Sequence, residues 1–363
     1  MAWARWHERD VMTETSSPAA SVARFRRVVA HPLFWPLLTL TLLVLGNGLV
    51  NPAFLSLHLR DGHLYGNLVD IANRAAPLIL VSVGMTLVIA VRGLDISVGA
   101  VLAIAATVAA WMIGGEADVA RYPMAVAIFA ALAVAALCGL WNGLLVVKLG
   151  MQPIVATLIL MVAGRGVAQL LADGQILTVY YKPYAYFGNG FLFGVPFSLY
   201  VIAAACLLLW LALGRTALGL FIRAIGGNPI AARVAGVPAR WITVGLYVFS
   251  AFCAGVAGIL VSSNVSSADA NNAGQLLELD AILAVTLGGT ALSGGRFSLA
   301  GSVIGALIIQ TLTSTIYSIG VPPQVNLVVK AALVFLVMLL QSAEFRSHVR
   351  QLLGRREAGE SSA

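Results

Sequence analysis

Polar side chains buried in otherwise apolar runs are the residues here whose types and spacing could do chemistry. Arg165 and Gln169 lie four apart in PIVATLILMVAGRGVAQLL and share a helix face. Asn142 sits in CGLWNGLLV, between Gly139 and Gly143. The stretch ADANNAG at 268–274 sets Asp269, Asn271 and Asn272 almost side by side. Together they supply carboxylate, amide and guanidinium groups, which suit a hydroxyl-rich ligand through several exchangeable hydrogen bonds. The same groups have structural uses. Asx side chains satisfy re-entrant backbone, and an ion pair of Arg165 with Asp280 would brace a bundle. Polar groups in an apolar span are costly and are read first as functional.

Covalent chemistry finds no such support. The chain has no GxxxxGK[ST], HExxH, CxxC or GxSxG pattern, so a phosphate-binding loop, a zinc protease site and a serine elbow are not expected. Its five histidines fall in the terminal segments or near residues 58–63. Cys138, Cys206 and Cys253 stand singly in apolar runs without metal spacing. No catalytic residue and no metal site are expected.

The elements that position these residues must lie in lipid. Of 363 residues 60% are hydrophobic and 10% charged, and mean hydropathy is +0.93. Ordinary soluble domains carry about 25% charged residues. Apolar segments of spanning length fall at 33–50, 75–91, 98–113, 123–147, 153–172, 198–213, 243–262, 277–292, 299–319 and 325–341. The expected fold is all-α: a polytopic membrane bundle of about ten transmembrane helices. Residues 1–32 would form a cytoplasmic N-terminal segment, 33–341 the membrane domain, and 342–363 a cytoplasmic tail.

With ten spans, most of the 22 Lys and Arg residues gather on one side, among them Arg92, Lys148, Arg223, Arg233, Arg240 and Arg296. The positive-inside rule makes that side cytoplasmic and places both termini there. The net charge of +7 then reads as topology, and nucleic acid is not an expected partner. In RGLDISVG, Asp95 or Ser97 could cap the next helix, and Arg92 could pair with Asp95 across the turn. Gly301 and Gly305 form a helix-packing GxxxG. Lys330 could snorkel from the last span.

The cytoplasmic loop 214–242 carries the most patterned local sequence, RAIGGNPIAARVAGVP. Gly226 and Gly227 interrupt a helix, Asn228 offers an N-cap and Pro229 suits the first helical position. Gly236 can take the left-handed position after IAARVA, and Pro238 blocks renewal. So short a helix needs a partner surface. Lipid phosphates are one candidate and a groove in a cytoplasmic subunit is the other.

These stretches, with RGLDISVGA at 92–100, QPIVATLILMVAGRGVAQL at 152–170 and LELDAILAVTLGGTALSGGRFS at 277–298, resemble the permease subunits of bacterial ATP-driven (ABC) sugar importers, the ribose/galactose-type branch. ADANNAGQLLELDAI is similar to the galactofuranose permease subgroup. The resemblance implies a multi-pass bacterial inner-membrane subunit that imports a sugar, galactofuranose before ribose. A periplasmic binding protein would deliver the sugar. A separate cytoplasmic ATPase would use ATP and Mg, with no cofactor on this chain. A second permease, itself or a related chain, would complete the pathway. The ATPase-facing positions it implies are Gly226, Asn228, Ala231, Ala232 and Gly236. Arg92 and Phe297 depart from the pattern, which elsewhere has a small residue and a glycine. An ion-coupled secondary transporter is the alternative.

Overall fold

The computed structural model describes residues 33–114, 119–320 and 323–341. The terminal segments 1–32 and 342–363 lie outside the described residues. The helices are α1 (Phe34–Val50), α2 (Asn67–Ala90), α3 (Val98–Ile113), α4 (Met124–Val147), α5 (Pro153–Leu171), α6 (Lys182–Asn189), α7 (Phe197–Arg215), α8 (Leu218–Gly227), α9 (Pro229–Val234), α10 (Ala239–Asn264), α11 (Leu277–Leu287), α12 (Leu299–Ser318) and α13 (Pro323–Gln341). Six short strands pair as antiparallel two-stranded ribbons: β1 (His58–Arg60) with β2 (His63–Tyr65), β3 (Ile176–Thr178) with β6 (Ser267–Asp269), and β4 (Phe191–Leu192) with β5 (Val195–Pro196).

The long helices run between two ends. All three ribbons lie at one, here the ribbon end: α2 starts just after β2, α5 leads into β3 and α10 into β6. The other, here the basic end, carries Arg92 after α2, Arg240 in the first turn of α10 and Arg296 before α12.

Among the described residues six helices are long and apolar enough to cross a membrane: α2, α4, α5, α7, α10 and α12. α1 and α3 are shorter apolar helices. The predicted span at 277–292 is corrected. Its helix has 11 residues and stops at Leu287, a rise of about 16 Å, half of a ~30 Å hydrocarbon core. Positive φ at Gly274 and Leu276 breaks the chain before it, and Gly289 at φ 84° breaks it after. The predicted span at 75–91 instead begins at Asn67 and runs 24 residues.

α10 is the axis of the bundle and packs against α2, α3 and α4, while α12 packs on α2 and α11. Small residues set these distances. A Cβ on Gly139 would overlap the backbone of Tyr247 and Val248, and Gly143 sits against Val244, so the expected GxxxG seats α4 on α10. The second GxxxG behaves alike: Gly301 lies on the Gly288 backbone and Gly305 on the Ala284 carbonyl. Gly305→Val should therefore push α11 from α12 and cost about 1–3 kcal/mol. Gly46→Ala in α1, with nothing within 4 Å, should leave the melting temperature of detergent-purified protein unchanged. Equal melting of both variants would refute this packing.

Candidate functional site

After α10 the chain does not continue as helix. β6 pairs Asp269 with Ile176 just past α5, and residues 270–276 then turn into the bundle until Gly274 lies against Gly99, near the start of α3. Irregular backbone at this depth must be satisfied by protein or by water in a cavity. Arg165 does part of this. Its Nη1 donates to the carbonyls of Ala270 at 3.2 Å and Ala273 at 2.6 Å. Gln169, one turn on, donates through Nε2 to Asn271 Oδ1 at 2.7 Å.

Asp269 folds the segment on itself. Its Oδ1 accepts from the amides of Asn271 (2.9 Å) and Asn272 (3.2 Å), and its Oδ2 from Asn272 Nδ2 (2.7 Å). The Asn272 amide leads in holding this carboxyl below the usual range; desolvation opposes it, and the two backbone N–H groups and Arg165 assist. Glu278 in the first turn of α11 is buried, with its carboxylate against Gly99.

Five sequence-predicted residues thus meet: Arg165, Gln169, Asp269, Asn271 and Asn272. Asn271 and Asn272 are exposed, and no protein hydrogen bond is seen for Asn271 Nδ2 or Asn272 Oδ1 among the described residues. The cluster can offer these amides to a hydroxyl-rich ligand while its charged members hold the backbone. The expected Arg165–Asp280 ion pair is corrected: Asp280 pairs with Lys330 at 2.6 Å. Lys330 therefore ties α13 to α11 rather than snorkelling. Sequence reading left Glu278 out of the site, because the Gly99 backbone that its carboxylate meets comes from α3.

Asn142 lies elsewhere. It is fully buried and donates through Nδ2 to Ser97 Oγ at 2.8 Å; Ser97 Oγ donates to Asp95 Oδ1 at 2.6 Å. Asp95 also accepts from the Ser97 amide, so it shapes the turn into α3 and joins it to α4. The expected Arg92–Asp95 pair is not formed. Arg92 sits in the left-handed region at φ 65° and reaches the C-terminus of α8, with Nε donating to Gly226 O at 2.7 Å and Nη2 to Gly227 O at 2.5 Å. A cation on terminal helix carbonyls is favourable.

The loop between α7 and α10 is built as its residues suggested. Asn228 Oδ1 accepts from the amides of Ile230 (3.0 Å) and Ala231 (3.1 Å), and Pro229 opens α9. At the other end Val237 N donates to Ala232 O and Gly236 N to Arg233 O, with Gly236 at φ 84°. This is a helix stop that needs glycine. Within the set named from the sequence, Gly226 and Ala232 turn inward. A Cβ on Gly226 would fall on the Ala90 carbonyl and on Gly295, and Ala232 is buried. Both seat the loop. The outward face carries Ala231, Arg233, Ile230 (68% exposed) and Val234 (85% exposed), the last two being large apolar side chains with no cover among the described residues. Arg223 lies 5.7 Å over the Phe297 ring, and Gly295 N donates to Ala90 O. The loop thus rests on two turns, 91–97 and 288–298, and both residues that depart from the family pattern hold it there.

Among the described residues no three His, Cys, Asp or Glu side chains group as metal ligands, and Cys138, Cys206 and Cys253 are free thiols. A bundle of apolar helices, broken at one polar segment and carrying a capped surface helix at its basic end, defines a multi-pass membrane transport protein. The chain belongs to the family described as branched-chain amino acid transport system / permease component, which matches residues 67–338. It is 49% identical over 344 residues to the galactofuranose transporter permease protein of Escherichia coli (strain K12), covering 95% of this chain and 98% of that one. It is 34% identical to the fructose import permease protein of Bifidobacterium longum, over 89% of this chain and 91% of the relative. Identity to the ribose import permease protein of Escherichia coli (strain K12) is 36%, over 76% and 85%. No solved structure matches the chain.

Proposed function

We propose that this chain is the permease subunit of an ATP-driven importer of galactofuranose in a bacterial inner membrane. The observation that carries the importer reading is α9, a doubly capped helix whose exposed Ile230 and Val234 lack a partner among the described residues. A cytoplasmic ATPase seating there would hydrolyse ATP with Mg and push the loop against the turns at 91–97 and 288–298. Asn228 and Gly236 shape this docking surface, Ala231 faces the ATPase, and Gly226 and Ala232 anchor it from within. The relative of highest identity quoted above supports the sugar. In this reading the chain makes ten crossings over 33–341, with α11 and its preceding irregular segment forming one. Segments 1–32, 214–242 and 342–363 face the cytoplasm, a periplasmic binding protein docks at the ribbon end, and a second permease chain, self or related, closes the pathway.

Asn271 and Asn272 are the sugar contacts, held by Asp269, Gln169 and Arg165; Asn142 is a brace. The test is uptake of radiolabelled galactose, through its furanose form, in cells expressing the whole transporter. Asn271→Ala with Asn272→Ala should lower uptake about tenfold or more, as expected for losing hydrogen bonds to a bound ligand, at unchanged membrane abundance. Wild-type cells that concentrate ribose and ignore galactose would reverse the substrate. Undiminished uptake by the double variant would return both residues to a structural role.

A further inference from the structure

A cavity opens at the ribbon end, away from the Arg165 cluster. It lies between the C-terminal half of α1, the first turns of α2 and the C-terminal half of α12, with a volume of about 980 Å³. Eleven of its eighteen lining residues are polar or charged, while most of its wall area is apolar. Asp70 and Arg74, one turn apart on α2, form an ion pair of 2.9 Å at its edge, 56% and 62% exposed. Asn47 reaches across from α1 to Thr315 Oγ1 at 2.8 Å. Gln310 of α12 is half-buried, and no hydrogen bond to its side-chain amide is seen among the described residues. Tyr317 lines the same space and is exposed. A smaller cavity of about 200 Å³ shares Arg74 and Gln310 and continues to Asn73, Ser198 and Asn264.

We propose that this cleft is a monosaccharide-binding vestibule in which the sugar contacts Asp70, Arg74 and Gln310. The inference rests on the sugar-importer reading and adds a site to it. The chemistry is that of a polyol ligand. A carboxylate accepts from hydroxyls, a planar guanidinium donates to two neighbouring oxygens, and a primary amide does both. The Tyr317 ring and the Ile71 side chain offer apolar surface to the C–H face of a pyranose or furanose. An acyl chain is a poor occupant, since an exposed ion pair facing lipid is costly.

Two measurements decide it. In the whole transporter, Gln310→Leu and Asp70→Asn should each raise the KM for radiolabelled galactose about tenfold. The maximal rate, the melting temperature and capture of the ATPase should stay near wild type. In a background lacking Cys138, Cys206 and Cys253, Tyr317→Cys should react in intact cells with a membrane-impermeant maleimide, and galactose with its binding protein should slow that reaction. Unaltered KM in both variants, with wild-type uptake intact, would sink the vestibule and leave the importer standing. Absence of labelling would place lipid or a second permease copy over the cleft and equally overturn it. Absence of sugar uptake by wild type would remove the importer reading and the vestibule with it.

Discussion

A permease carrying Ala231→Glu should fold, reach the membrane, and fail to retain its ATPase in a pull-down. Ala231 lies on the exposed side of α9, so a carboxylate there is hydrated while the permease is alone. Docking would bury it beside Ile230 and Val234, while Arg233, the cation on the same face, is turned to the Pro229 carbonyl. An unpaired charge taken into an interface costs about 2–5 kcal/mol, which at 1.4 kcal/mol per decade is a loss of roughly 30-fold to several thousand-fold in affinity. Ala232→Glu is a different experiment, because Ala232 is buried within the permease and a carboxylate there disrupts the loop before any partner arrives. Gly236→Val should also abolish capture. There is open space around Gly236, but φ 84° is closed to a β-branched residue, so the helix stop and the path into α10 are lost. Full retention of the ATPase by Ala231→Glu, with normal uptake, would mean that α9 rests on lipid instead.

Arg92→Ala should separate capture from transport. The α9 surface is untouched, so the ATPase should still bind. The side chain that ties α8 to the turn after α2 is gone, leaving the carbonyls of Gly226 and Gly227 to water. Arg92 is itself exposed, so its two hydrogen bonds contribute modestly to stability and the melting temperature should move little. The large effect falls on coupling: sugar taken up per ATP hydrolysed should drop about tenfold or more in proteoliposomes, with hydrolysis continuing. Arg92→Lys keeps the charge but not the fork that spans two carbonyls, and should recover only part of the ratio. An unchanged ratio in Arg92→Ala would show that force passes from α8 to the bundle through the remaining contacts, Gly226 on Gly295 and Arg223 over Phe297.

Local chemistry was readable in the residues themselves. Asn228-Pro229 and Gly236 specify where α9 starts and stops, because caps and left-handed turns depend on side chains within a few positions. The GxxxG pairs announced close packing, since small residues at helical spacing leave a groove whatever the partner. The apolar runs located six membrane-length helices. Length misled at 277–292, where the apolar run continues but Gly288 and Gly289 end the helix, and 270–276 enters the bundle without being helical. Hydropathy counts apolar residues and is blind to backbone conformation. Partnership was decided by the tertiary structure. Arg165 could have met Asp280, and Arg92 could have met Asp95, on charge alone. The packing of α5 against α3 gave Arg165 two backbone carbonyls, the position of α13 gave Asp280 to Lys330, and the seating of α8 against α2 gave Arg92 the end of a helix. A charged side chain among apolar helices takes whichever partner the packing brings within about 3 Å. Those acceptors lie tens to more than a hundred positions away in the chain, so residue type made the need for a partner legible and only the assembled bundle chose which one.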